Sequence, residues 1–134
     1  MNTAKKRRLL AIMELGGYPN FIPLYERIGF EVTSVVSVRK ALGVLREREP
    51  DVVVAEFNYQ SDFRDRTSSL ESLLAVVQRY PAMRVLVFFD KEHAHQLARL
   101  QARYPLYATL SYPISETELQ SCLQRACDEP DQTV

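Results

Sequence analysis

A chain of 134 residues, 46% hydrophobic and 25% charged, has the make-up of one globular domain, large enough to hide roughly 68% of its unfolded surface. Seventeen Lys and Arg balance seventeen Asp and Glu, so no net field draws it to nucleic acid or to an anionic membrane. Its longest apolar runs are strand-sized and no signal peptide opens it, which argues against a membrane helix and predicts a cytoplasmic protein with no membrane partner.

In chain order, the basic run "KKRR" (Lys5–Arg8) reads as a solvated approach to a first buried strand, "RLLAIM" (Arg8–Met13). "GGYPN" (Gly16–Asn20) stands where a phosphate-binding loop would lie. It lacks the P-loop lysine and the spaced glycines of a dinucleotide site, so it reads as a plain turn. "NFIPLYERIG" predicts a helix with Asn20 as N-cap, Phe21, Leu24, Tyr25 and Ile28 on one face, and Gly29 as terminator. "FEVTSV" is a second, more polar strand. "SVRKALGVLRERE" predicts a helix capped by Ser37 with Val38, Ala41, Leu42 and Leu45 on its apolar face, stopped by Pro50.

The third strand, Asp51–Phe57, is apolar on both alternations, the mark of a strand covered on both faces. It ends on a single carboxylate, Glu56, at the end of the sheet where open α/β folds place their chemistry. A polar loop, Asn58–Thr67, follows; Tyr59, Asp62 and Arg64 make it a candidate binding loop, although a solvated loop explains it as well. Ser68 and Glu71 have capping-box spacing ahead of a helix face of Leu70, Leu73, Leu74 and Val77. "RVLVFF" (Arg84–Phe89) is a fourth strand, apolar throughout, and "KEHAHQLARLQAR" a fourth helix. His93 and His95 are two apart, hence on different faces of that helix, and Asp90 and Glu92 do not complete a metal site. "LYATLSY" is a fifth strand of mixed polarity. Ser115 and Glu118 form a second capping box for a helix buried through Leu119, Cys122, Leu123 and Ala126. Cys122 and Cys127, five apart on that helix, suit neither a disulfide nor a metal clamp and read as reduced thiols. The expected layout is one domain over residues 1–134, with a core at about 8–126 and a polar tail at 127–134.

Five strand-then-helix units imply right-handed crossovers and a parallel sheet with helices on both faces. Strands one, three and four are apolar throughout and belong in the middle; two and five carry polar residues and belong at the edges. That is the flavodoxin-like (βα)5 order 2-1-3-4-5.

With "GFEV" opening strand two, "KALGVL" in the second helix, "PDVVVAE" for strand three and "YP" before the last helix, the chain resembles a response regulator receiver domain from about Arg8 to Ala126. The resemblance implies two-component signal transduction through five polar positions at the carboxyl ends of the strands. Two acidic residues ending strand one help hold Mg²⁺, and an aspartate ending strand three accepts the phosphoryl group. A Thr or Ser ending strand four and a Lys ending strand five, just before a Pro, contact the phosphoryl oxygens. Here the acidic pair falls on Met13 and Glu14, the phosphoacceptor on Glu56, the hydroxyl on Phe89 and the lysine on Tyr112, with Pro113 retained. An aromatic that the family often carries three residues before the lysine falls on Thr109. The loop after strand three is longer than usual and lacks the family's Pro and Gly.

Phosphoryl transfer asks the protein for positioning and electrostatic stabilisation. Glu carries its carboxylate about 1 Å further than Asp, a displacement that can cost on the order of 10²-fold in rate. Met13 removes a metal ligand, Tyr112 a cation and Phe89 a hydroxyl. The resemblance therefore points to a degenerate, stand-alone receiver with no catalytic residue, metal or cofactor, acting on a protein partner. Two other classes stay open: an active phosphoacceptor using Glu14 and Glu56 with Mg²⁺, and a small flavodoxin-like nucleotide or ligand binder. Glu56 itself has two readings, a permanent imitation of the phosphorylated state or a strand-end acid satisfied by Arg64, Arg66 or Lys91. Receivers commonly pair through the face of the fourth helix, fifth strand and fifth helix. The expected contact, a homodimer or a hetero-contact, centres on Tyr107 of an uncharged edge strand and the exposed side of the fourth helix, a face that includes Thr109 and carries Arg99 and Arg103 in a polar rim.

Overall fold

Alternating residues of the strands feed two separate apolar cores in the computed structural model, which describes residues 7–14, 19–57 and 69–128. The strands are β1 (Arg7–Ile12), β2 (Phe30–Val35), β3 (Val52–Glu56), β4 (Arg84–Phe89) and β5 (Ala108–Ser111). The helices are α1 (Ile22–Ile28), α2 (Val38–Glu47), α3 (Ser69–Val77), α4 (Ala94–Arg103) and α5 (Glu116–Asp128). All strand pairs are parallel, in the order β2-β1-β3-β4-β5. Polarity foretold that order for a physical reason: β3 is buried at every residue, whereas β2 and β5, each paired on one side only, tolerate Glu31, Thr33, Ser34 and Thr109.

Successive strand residues point to opposite faces. Leu10, Ile12, Val53, Ala55, Val85 and Val87 meet α2, α3 and α4, while Leu9, Ala11, Val54, Leu86, Phe88 and Leu110 meet α1 and α5. The predicted helix faces are the buried ones: Leu70, Leu73, Leu74 and Val77 on α3, and Leu119, Cys122, Leu123 and Ala126 on α5.

Local chemistry sets the helix ends. The Ser37 hydroxyl accepts from the Lys40 N–H at 3.2 Å and the Ser115 hydroxyl from the Glu118 N–H at 3.2 Å, the N-cap bonds that the spacing predicted. Gly29 ends α1 at φ 118°, a left-handed conformation that costs glycine little. Asn20 does accept from the Ile22 N–H at 3.0 Å, but Phe21 is the flanking residue and α1 begins at Ile22, with Pro23 in its first turn. The fourth helix is also divided. Asp90 accepts from the Glu92 N–H at 2.9 Å and caps a 3₁₀ turn, Lys91–His93, before α4 starts at Ala94. β5 is shorter than the expected 106–112 because only Ala108–Ser111 pair with β4 as a ladder. Lys5, Lys6, the turn at 15–18, the loop 58–67 with Tyr59, Asp62, Arg64 and Arg66, the cap Ser68 and the tail from 129 lie outside the described residues.

Candidate functional site

The carboxyl ends of β1, β3, β4 and β5 converge by register. Glu56 of β3 pairs with Phe88 of β4, and Phe89 of β4 pairs with Ser111 of β5. Just past the strands, Met13 N–H donates to Val35 O, Phe57 N–H to Phe88 O and Tyr112 N–H to Phe89 O, each at 2.8–2.9 Å. Backbone bonding thus fixes Met13, Glu56 and Tyr112 at the carboxyl ends of β1, β3 and β5. The Tyr112–Pro113 peptide bond is cis.

Alternation then divides the five candidate positions. Met13 and Tyr112 pack on the α1/α5 side of the sheet, the side of Val54 and Phe88, and Glu56 shares their alternation. Phe89 packs on the other side, against the core beneath α2, α3 and α4, and Phe57 is buried in that same core. A ring at position 89 belongs in an apolar core, where a hydroxyl would stay at the strand end. The family's aromatic and hydroxyl have also traded places: the aromatic is Phe89, and Thr109 sits one step back on β5, in register with Val87. Glu14, the remaining acid of the strand-one pair, turns to the second helix. Its Oε2 accepts from the Val38 N–H at 3.4 Å, at the amino end of α2, where a carboxylate also meets the positive end of the helix dipole.

Glu56 is 3% exposed and is the one buried charged residue among the described residues. Its register partner on β4, Phe88, joins an aromatic series. Phe88 meets Phe21 edge-on at 6.1 Å and Tyr112 edge-on at 6.3 Å, the geometry that ring quadrupoles favour. Burial first, then the negative charges of Glu56 and Asp90, hold the Tyr112 hydroxyl well above the ordinary tyrosine range. A tyrosine hydroxyl is neutral near pH ~7 in any case, and this one stands at the position where the resemblance places a cation. Sequence reasoning missed Phe21 and Phe88 as parts of this site, because an apolar strand does not reveal which of its residues reach the end. It also undervalued Asp90, whose place after an apolar strand and before "KEH" is a capping signal.

The donor set does not suit Mg²⁺. That ion takes hard oxygen ligands in octahedral geometry, and a thioether stands at position 13 while the carboxylate of Glu14 is engaged with α2. Among the described residues, no three His, Cys, Asp or Glu are grouped to hold a metal ion. Lys91, one of the cations considered for Glu56, opens the exposed 3₁₀ turn. No described helix is long and apolar enough to cross a membrane.

On the side of the expected contact face, Tyr107 is half-buried and carries the Arg84 guanidinium over its ring, 5.4 Å from the centroid. Arg103 leans the other way, to Glu71 of α3 at 2.8 Å and over the Tyr104 ring at 5.3 Å. Arg99 is exposed, and Thr109 and Pro113 are half-buried and exposed in turn.

No family model matches the chain, and no curated protein matches it. Solved structures do share its fold. A signal receiver domain of an HD domain-containing protein from Pseudomonas fluorescens Pf-5 superimposes with a TM-score of 0.71 at 18% identity, over 92% of this chain and 95% of that one. A CheY-like response regulator receiver domain from Methylobacillus flagellatus gives 0.70 at 19% identity, over 91% and 99%. A member of a streptococcal family of redox sensors that evolved from two-component response regulators gives 0.72 at 15% identity, over 90% of this chain and 50% of that one. At these identities the likeness speaks to the fold alone, and the fold is that of receiver domains.

Proposed function

We propose that this chain is a regulatory protein of the receiver fold that acts by docking onto another protein, with a phosphoacceptor pocket that no longer handles phosphoryl groups. One observation carries the reading: a neutral Tyr112, packed edge-on against Phe88, stands beside the buried Glu56 where phosphoryl oxygens need a cation. Catalysis of phosphoryl transfer is almost entirely electrostatic stabilisation and positioning. A site that offers a thioether, two rings and an acid tied to a helix end supplies little of either. The burial of Glu56 favours a structural acid over a charge displayed to a partner in imitation of phosphate. The streptococcal redox sensors lend the reading a precedent, a receiver fold turned to another signal.

Docking is assigned to the side of α4, β5 and α5. β5 is an edge strand whose "ATLS" has no charge and no proline, so it lacks the devices that discourage strand pairing. The reading asks for no enzymatic step and no cofactor. Thermal unfolding with Mg²⁺ and beryllofluoride, a phosphoryl analogue, tests the silent pocket. A ligand that binds the folded state raises the midpoint by mass action; no change is expected, and a rise that depends on both components sinks the reading. Sedimentation at micromolar concentration, comparing the parent with Tyr107→Glu, tests the face: self-association or partner binding lost in the variant supports it, and binding equal to the parent's removes it.

A further inference from the structure

α5 runs antiparallel to the strands, and the backbone carbonyls of its last described turn lie at the sheet's amino-terminal rim. Two of them are taken by arginines from the sheet. Arg84, which opens β4, donates through Nη1 to Ala126 O at 2.9 Å, and Arg7, which opens β1, donates through Nη2 to Cys127 O at 2.8 Å. Cations at this end also complement the helix dipole. The two arginines differ in what else they hold. Arg84 is half-buried, and the guanidinium that bonds α5 also lies 5.4 Å over the Tyr107 ring. Tyr107 is itself tied to β4 through its N–H to Val85 O at 2.9 Å, at the start of β5. One planar cation therefore touches β4, the beginning of β5 and the end of α5.

We infer that Arg84 is a positioning residue that joins the start of β5 to the carboxyl end of α5, so that a protein contact which lifts the guanidinium off Tyr107 also loosens the last turn of α5. A guanidinium can stack on a ring and donate in its own plane at once, which a flexible ammonium does not reproduce. The joint itself is independent of the phosphoacceptor pocket; only its use by a partner rests on the docking reading above. It makes the edge of β5 and the end of α5 one cooperative unit.

Amide hydrogen exchange on the isolated full chain tests the joint without any partner, so it can fail while docking survives, and the reverse. Rates are compared with those of β3 amides, which report global opening. In Arg84→Met, exchange should quicken by about 10- to 150-fold at both the last described turn of α5 and residues 106–108, the range expected for losing a charge-assisted bond. Arg7→Met should quicken the helix end alone. Tyr107→Leu should loosen the end of α5 in the parent and much less in the Arg84→Met background, because the ring acts through the guanidinium. Arg84→Lys keeps a charge and a donor, and serves if the methionine variant does not fold; it should show the same two-site loosening in weaker form. Parental protection at either site in the folded Arg84 variants, or additive effects of the Arg84 and Tyr107 substitutions on α5, would overturn the proposal.

Discussion

At the amino-terminal rim of the sheet, charged side chains still do what charges do in a small α/β domain. Arg7 and Arg84 satisfy helix carbonyls, Asp51 accepts from the Arg8 N–H at 2.8 Å, and Arg8 and Arg48 approach Glu31 from both sides at 3.9 and 3.7 Å. At the carboxyl-terminal end, where this fold keeps its polar site in receivers, Met13, Phe89 and Tyr112 have joined the two cores, and Glu56 is buried beside them. The contrast teaches that apolar packing occupies the strand ends where receivers of this fold keep polar groups. These positions contribute to stability in the way core residues do, and substitutions there should be felt as core substitutions.

The largest effect should come from Phe88→Ala. Phe88 is fully buried and holds both Phe21 and Tyr112 edge-on, so its loss leaves a cavity beneath the carboxyl-terminal end of the sheet. Denaturant unfolding should register a cost of about 3–5 kcal/mol. A cost near that of a surface change would mean that the carboxyl end is no part of the core.

A second test uses alkali. Burial holds the Tyr25 hydroxyl above the ordinary range, and burial with the charges of Glu56 and Asp90 does the same for Tyr112. Both groups keep their protons in the fold after unfolded tyrosines begin to ionise near pH ~10. Stability should therefore be full below that pH and fall as the pH rises above it. Tyr112→Phe and Tyr25→Phe should each flatten the fall to a similar degree, because both hydroxyls are raised alike. Unfolding midpoints measured between neutral and strongly alkaline pH check this; a decline as steep in both variants as in the parent would contradict it.

Much of this was legible in sequence. The burial of β3 and the polarity of β2 fixed the strand order, because strands covered on two faces cannot carry the residues that edges can. Ser37, Ser115 and Gly29 announced their helix ends through short-range chemistry that tertiary contacts did not override. Glu56 stood out as an acid ending an apolar strand, whereas Met13, Phe89 and Tyr112 were singled out by the resemblance to receiver domains. What the sequence withheld was direction. Which face Phe89 would take, that Glu14 would turn to the Val38 N–H, and that Arg103 would lean to Glu71 all depend on packing between elements distant along the chain. The role of Arg84 was hidden for the same reason, since its partners lie on β5 and α5 and leave no spacing signal.

Smaller effects sharpen the contrast at single groups. Ser37→Ala should lower stability by about 1 kcal/mol, the usual value of an N-cap bond. Glu14→Gln should cost less than about 1 kcal/mol, because its bond to the α2 amide is long, and the cost should be the same with and without Mg²⁺. A magnesium-dependent difference would restore Glu14 as a metal ligand. Arg103→Ala should have the least effect, about 0.2–1 kcal/mol, since the guanidinium it removes is largely solvent-exposed.

The central claim, a receiver fold whose acid no longer accepts a phosphoryl group, is tested most directly by intact mass. The purified chain is incubated with acetyl phosphate and Mg²⁺ and weighed before the label can hydrolyse. An unchanged mass is the predicted result. A gain of one phosphoryl group that disappears in Glu56→Gln would contradict it and return Glu56 to the role of phosphoacceptor.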